Sequence, residues 1–219
     1  QFETQTTKPL PWKKLLAFPQ TWAVVAGKFF IDPIYWFFLF WLPSYFSTTF
    51  GLDLKKPSLP LMTIYLATTI GAIGGGYISS ALVKRGWSTV KARKSTLLMV
   101  AVFELMIIGM QFVTDVWVAV AILSLAVALH QAWSTNVFTL AADLFPKESV
   151  SSVAGLAGMA GAVGGILFPI LVGSLLDRYK AMDNLTGGYN VLFALCGITY
   201  LLTWLVIHFL TLRFNKNAV

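Results

Sequence analysis

Four runs of the sequence, 57–83, 116–142, 149–176 and 184–212, contain no Asp, Glu, Lys or Arg. A helix needs about 20 mostly apolar residues to cross the hydrocarbon of a bilayer, so each run is long enough for one membrane span. Two more apolar stretches, about 20–47 and 95–114, have the right length but are interrupted, the first by Lys28 and Asp32 and the second by Glu104. The chain is therefore expected to be an all-α membrane protein with six spans, at about 20–47, 58–83, 95–114, 116–142, 149–176 and 187–212. Charged residues make up only 11% of it, against roughly 25% in ordinary soluble domains. A soluble protein would not string six such helices together with so little polar sequence between them.

The basic residues assign an orientation. Lys8, Lys13 and Lys14 precede span one, Lys84, Arg85, Lys91, Arg93 and Lys94 lie between spans two and three, Lys147 follows span four, and Arg213 and Lys216 follow span six. The opposite side holds only Lys55, Lys56, Arg178 and Lys180. By the positive-inside rule both termini face the cytoplasm. The net charge of +7 is thus mostly a topogenic signal. A nucleic-acid surface needs its basic residues on one solvated face, whereas these are spread over juxtamembrane loops. The lone Cys196 can form no intrachain disulfide.

Residues 1–19, "QFETQTTKPLPWKKLLAFP", are polar and then amphipathic and contain no signal-peptide hydrophobic region. They read as a cytoplasmic linker leading into a domain of six spans over 20–212, with a cytoplasmic tail at 213–219. The absence of an initiator Met has two readings: a trimmed sequence, or an equal stretch of membrane protein in front of it.

Inside the first span, Lys28 and Asp32 are four residues apart and Pro33 follows. An ionisable group in hydrocarbon costs about 2.5 to 3.5 kcal/mol on insertion scales, so such groups normally face a bundle interior or a water-filled cavity. At i and i+4 the two can pair on one helix face, which Tyr35 and Trp36 would continue. Pro33 donates no backbone N–H and so frees the Phe29 carbonyl. Transporter sites are often built from such interrupted helices; the alternative is a buried ion pair that only fixes packing.

Span four places His130, Gln131, Ser134, Thr135 and Asn136 within seven residues, around Trp133. The cluster reads either as a cavity lining able to hold hydroxyls, with His130 as a proton acceptor, or as interhelical polar glue. In span five, Gly155, Gly158, Gly161 and Gly164 recur every three residues, and Gly161 with Gly165 makes a GxxxG, a spacing that lets helix backbones approach closely. Glu104 is either a coupling carboxylate or a packing residue, and His208 sits near the cytoplasmic end of span six. No GxSxG occurs, and a serine-protease site needs an activated serine with a histidine base, so the chain is read as a non-enzyme without metal or cofactor.

Four stretches together resemble one family: "GKFFIDPIYWFFLFWLPSYF", "GGGYISSALVKRGWSTVKARK", "HQAWSTNVFTLAADLFP" and "VSSVAGLAGMAGAVGGILFPILVG". Their order is similar to the C-terminal half of a major facilitator superfamily transporter, in the anion:cation symporter branch that includes bacterial hexuronate transporters. The general superfamily loop has an acidic residue shortly before its Arg-x-Gly, where this chain has Ser80 and Lys84-Arg85-Gly86. The resemblance implies a twelve-span protein of the bacterial inner membrane, with this chain as spans seven to twelve. It would carry a small organic anion, such as a sugar acid, together with protons, and its partner would be an N-terminal six-helix half. On that reading Lys28, Asp32, Tyr35 and Trp36 meet His130, Gln131, Ser134 and Asn136 across a central cavity, with Lys28 taking the carboxylate. Asp32, Glu104 and His130 are the coupling candidates. Two other classes remain: a self-pairing six-span pore or carrier, and a membrane scaffold.

Overall fold

A computed structural model describes residues 10–212 apart from 54 and 57. Lys8, Arg213, Lys216 and the tail 213–219 lie outside the described residues. All regular structure among the described residues is helical: α1 (Trp12–Ala17), α2 (Pro19–Phe29), α3 (Asp32–Phe50), α4 (Leu59–Lys84), α5 (Thr89–Glu104), α6 (Val116–Leu144), α7 (Lys147–Ala181) and α8 (Leu185–Leu210). A 3₁₀ segment, Leu105–Phe112, continues α5. Taken as spans, with α2 and α3 forming the first and α5 running through its 3₁₀ extension, six helical stretches are long and apolar enough to cross a membrane.

Local chemistry sets the ends. Ser58 Oγ accepts the Leu61 N–H at 3.3 Å, Asp115 accepts the N–H groups of Trp117 and Val118 at 2.8 and 2.9 Å, and Asn184 accepts that of Gly187 at 3.1 Å. Each satisfies donors that a helix start leaves orphaned. Gly51, at φ 68°, closes α3 in the left-handed conformation that glycine adopts without a Cβ penalty.

Consecutive spans run in opposite directions. At one end Leu10 N–H donates to Ser149 Oγ at 3.0 Å and Lys94 to the His208 carbonyl at 3.4 Å; at the other, Tyr45 packs edge-on against Tyr189. The first end carries Lys13, Lys14, Lys84, Arg85, Lys91, Arg93, Lys94 and Lys147. Arg93 joins three helices there, pairing with Asp143 of α6 at 3.1 Å and donating to Ser79 Oγ of α4. The carboxylate at this loop is thus supplied by α6, and it is Ser79, not the exposed Ser80, that takes part. Helix α5 starts at Thr89, before the expected 95, so the helix continues beyond the apolar stretch.

The tightest approach is between α4 and α6. A Cβ at Gly71 would collide with the Ala128 backbone, and one at Gly75 would lie 2.5 Å from Cα and Cβ of Ala132. Gly71-xxx-Gly75 thus meets Ala128-xxx-Ala132, a small-residue seam that stands in for a hydrophobic driving force absent between lipid-solvated helices. On α7, Gly161, Gly164 and Gly165 receive Asp32, the Phe29 carbonyl with Pro33, and Trp36. Gly155 and Gly158 are corrections to the expected packing stripe: both are exposed and nothing lies within 4 Å of a Cβ at either. Outward faces carry large apolar side chains such as Ile70 (73% exposed) and Phe112 (80%), as a lipid-covered surface does.

Filling the α4–α6 seam is expected to be costly. Gly75→Leu should lower the melting temperature in detergent by the equivalent of about 3 kcal/mol, the upper range for overpacking a core, while Gly74→Leu, which faces open space, should leave it unchanged.

Candidate functional site

Span one breaks at Phe30 and Ile31, which separate α2 from α3. Pro33 is the second residue of α3, where no intrahelical N–H is required of it. The break puts Lys28 in the last turn of α2 and Asp32 in the first turn of α3. Each charge therefore sits at the helix end of complementary sign, an arrangement that contributes about 0.3 to 2 kcal/mol per residue depending on burial. Lys28 lies in the first third of the 32-residue stretch Pro19–Phe50, roughly 14 Å from its start at 1.5 Å per residue.

Around Lys28 the contacts are specific. Its Nζ lies 2.7 Å from Asp32 Oδ1, donates to Ser134 Oγ of α6 at 2.9 Å, and sits 4.4 Å above the Phe138 ring. Its side chain is 6% exposed, and that of Asp32 is 21% exposed, so the carboxylate forms the open side of the pair. Asp32 fits because α7 presents Gly161, where a Cβ would lie 2.5 Å from Oδ2.

Beside the pair, Tyr35 stacks on His130, with ring centroids 5.1 Å apart and planes at 18°. His130 Nδ1 and the Tyr200 hydroxyl are hydrogen-bonded at 2.8 Å. Trp133 packs edge-on to Tyr200 and donates its indole N–H to the Gly27 carbonyl at 3.0 Å, one of the carbonyls the end of α2 leaves free. Glu104 is 1% exposed, with Tyr200 as its polar neighbour, yet neither of its carboxylate oxygens makes a hydrogen bond of ordinary geometry. The buried polar groups thus run from Lys28 and Asp32 past Tyr35 and His130 to Tyr200 and Glu104.

Not every expected residue joins them. Asn136 donates to the Gly75 carbonyl of α4 at 3.0 Å and to the Ala132 carbonyl at 2.8 Å. It points at the α4 seam, because two residues from Ser134 is about 200° around a helix. Trp36 is 38% exposed and stacks on Phe40; one turn beyond Asp32 in α3, it lies against Gly165 of α7 as Asp32 lies against Gly161. Thr135 donates to its own helix at Gln131 O, and the Gln131 side chain makes no hydrogen bond among the described residues. Phe138 and Tyr200 are additions. Phe138 was readable as the residue one turn beyond Ser134; Tyr200 had no sequence signal. No group of three or more His, Cys, Asp or Glu among the described residues is placed to hold a metal.

The model of the Major Facilitator Superfamily matches residues 1–169. The chain belongs to the Major Facilitator Superfamily. With its six apolar helices it is a multi-pass membrane protein. It is 28% identical, over its whole length, to 49% of the hexuronate transporter of Escherichia coli strain K12. Over 80% of its length it is 27% identical to 41% of the D-galactonate transporter of Escherichia coli O6:H1. Over 78% of its length it is 29% identical to 38% of a probable galactarate/D-glucarate transporter of strain K12. The chain spans about half the length of these curated relatives.

Removing one partner of a buried ion pair costs more than removing both. Lys28→Met should therefore destabilise the protein by about 3 kcal/mol, and Lys28→Met with Asp32→Asn should regain most of that loss, read as melting temperature in detergent.

Proposed function

We propose that the chain is the C-terminal six-helix half of a secondary active transporter that imports a sugar acid, such as a hexuronate, together with protons by alternating access. It would lie in a bacterial inner membrane with both termini cytoplasmic, paired with an N-terminal half that completes a midplane site. The observation that carries this is Lys28: a buried ammonium inside the first span, already held by a carboxylate, a hydroxyl and an aromatic face. The relatives named for hexuronate, galactonate and galactarate or glucarate transport support the substrate class, since all of these carry a carboxylate beside hydroxyls.

The geometry supplies a rationale for coupling. With Asp32 ionised, Lys28 has its counter-charge and gains little from a substrate carboxylate. A proton on Asp32 releases the ammonium, so substrate and proton bind best together. Ser134 and a protonated Asp32 offer partners to a sugar hydroxyl, and the Tyr35–His130 stack presents a flat wall to the ring. The galactonate and glucarate names favour open-chain sugar acids as the second reading, which the same ammonium serves.

The test is uptake of labelled glucuronate, galacturonate and galactonate by bacterial cells lacking their own carriers. The cells express either this chain alone or the gene with all its upstream coding sequence, each with and without a proton uncoupler. Uptake only by the longer product, abolished by the uncoupler, is expected. Uptake by the short chain alone overturns the half-transporter reading, and uptake of none of the three overturns the sugar-acid reading. Within the longer product, Asp32→Asn should abolish uncoupler-sensitive accumulation, because the amide can neither take up nor release the proton, while exchange of labelled for unlabelled substrate persists. Glu104→Gln should matter less. Normal accumulation by Asp32→Asn at matched protein levels would refute the coupling role.

A further inference from the structure

At the lysine-rich end of the bundle, a cleft of about 460 Å³ opens between the start of α5 and the end of α8. Its polar lining includes Ser88, Lys91, Lys94, Ser95 and His208. Neither lysine makes an ion pair among the described residues: Lys91 lies 4.6 Å over the Trp87 ring, and the Lys94 ammonium reaches only the His208 carbonyl, at 3.4 Å. The neighbouring Arg93 is taken by Asp143 on the opposite side of the helix. His208 Nδ1 is enclosed without a partner. Ser88, the residue before α5, makes no side-chain cap, so its side chain satisfies none of the first amides of that helix.

The rest of the lining is apolar. Val90, Leu98 and the Trp204 ring form one wall, and Trp204 is fixed there by its N–H bond to the Lys94 carbonyl at 2.8 Å. Beyond the wall the outer face of α8 exposes Leu202, Leu205 and Phe209. The cleft thus combines two uncompensated cations at the helix ends with an apolar flank running towards mid-span. Basic pockets between membrane helices on the positively charged side are suited to anionic head groups, and the apolar flank fits acyl chains, which a free phosphate ion lacks. We infer that this cleft binds an anionic phospholipid, with its phosphate between Lys91 and Lys94 and its chains along Trp204 and the outer face of α8. The site is separate from Lys28 and does not depend on the transport reading.

The experiment is thermal unfolding of the whole gene product in a neutral detergent, titrated with phosphatidylglycerol, with phosphatidylcholine, or with inorganic phosphate. Phosphatidylglycerol should raise the melting temperature by about 5 °C near saturation, and the other two should not. Lys91→Gln with Lys94→Gln should raise the lipid concentration needed for half the effect by about 25-fold, since each lysine near an anionic head group contributes about fivefold. Lys55→Gln with Lys56→Gln, at the opposite end, should respond as the wild type. If the double variant fails to fold, exposed Lys91→Gln alone should shift the midpoint about fivefold. An equal response to phosphatidylcholine, an equal response to inorganic phosphate, or an unchanged midpoint in the lysine variants would overturn the inference.

Discussion

The structure depends on how two opposite charges are held inside a membrane span. Each costs about 2.5 to 3.5 kcal/mol in hydrocarbon, and the chain offsets that cost by breaking the helix between them. Lys28 then ends α2 and Asp32 begins α3, so both helix dipoles favour the charges that also favour each other at 2.7 Å. Ser134 and Phe138 of α6 complete the surroundings of the ammonium. A continuous helix would keep the ion pair and forfeit the dipole contribution at both ends.

The break then dictates what its neighbours must be. A broken helix exposes backbone carbonyls and a proline ring, and membrane-depth backbone of this kind must be covered by protein or line a cavity. Helix α7 covers it with glycines: Gly161 beside the Asp32 carboxylate and Gly164 beside the Phe29 carbonyl and Pro33. From the other side Trp133 of α6 donates to the Gly27 carbonyl. Helix α6 is itself held by its seam with Gly71 and Gly75 of α4. The side chains that face Lys28 are thus positioned by backbone contacts far less adaptable than the side chains themselves.

Much of this was legible in the sequence, for reasons that also explain the misses. Charge-free runs of 27 or more residues disclose spans because hydrocarbon excludes charge, and the i, i+4 spacing of Lys28 with Asp32 survives in the fold as an ion pair. Trp36 follows Asp32 towards α7, at Gly165, while Tyr35 turns to His130 of α6. Asn136 was grouped with Ser134 by proximity in sequence, although it faces α4. Glycines every three residues drift about 60° per step around a helix, so Gly161 and Gly164 reach the broken span while Gly155 and Gly158 turn away. The Gly71–Gly75 pair was hidden in a glycine-rich stretch read for its loop motif, and Tyr200 carries no pattern at all in an apolar helix.

The central claim is that the Lys28 ammonium, released from Asp32, is what recognises a substrate carboxylate. It is tested most directly by equilibrium binding to the purified whole gene product, titrating glucuronate and uncharged glucose into the wild type and Lys28→Gln. The account predicts that glucuronate binding weakens by about tenfold or more in Lys28→Gln, the scale of a lost charged hydrogen bond, with no change for glucose. Glucuronate binding of wild-type strength in folded Lys28→Gln would contradict it.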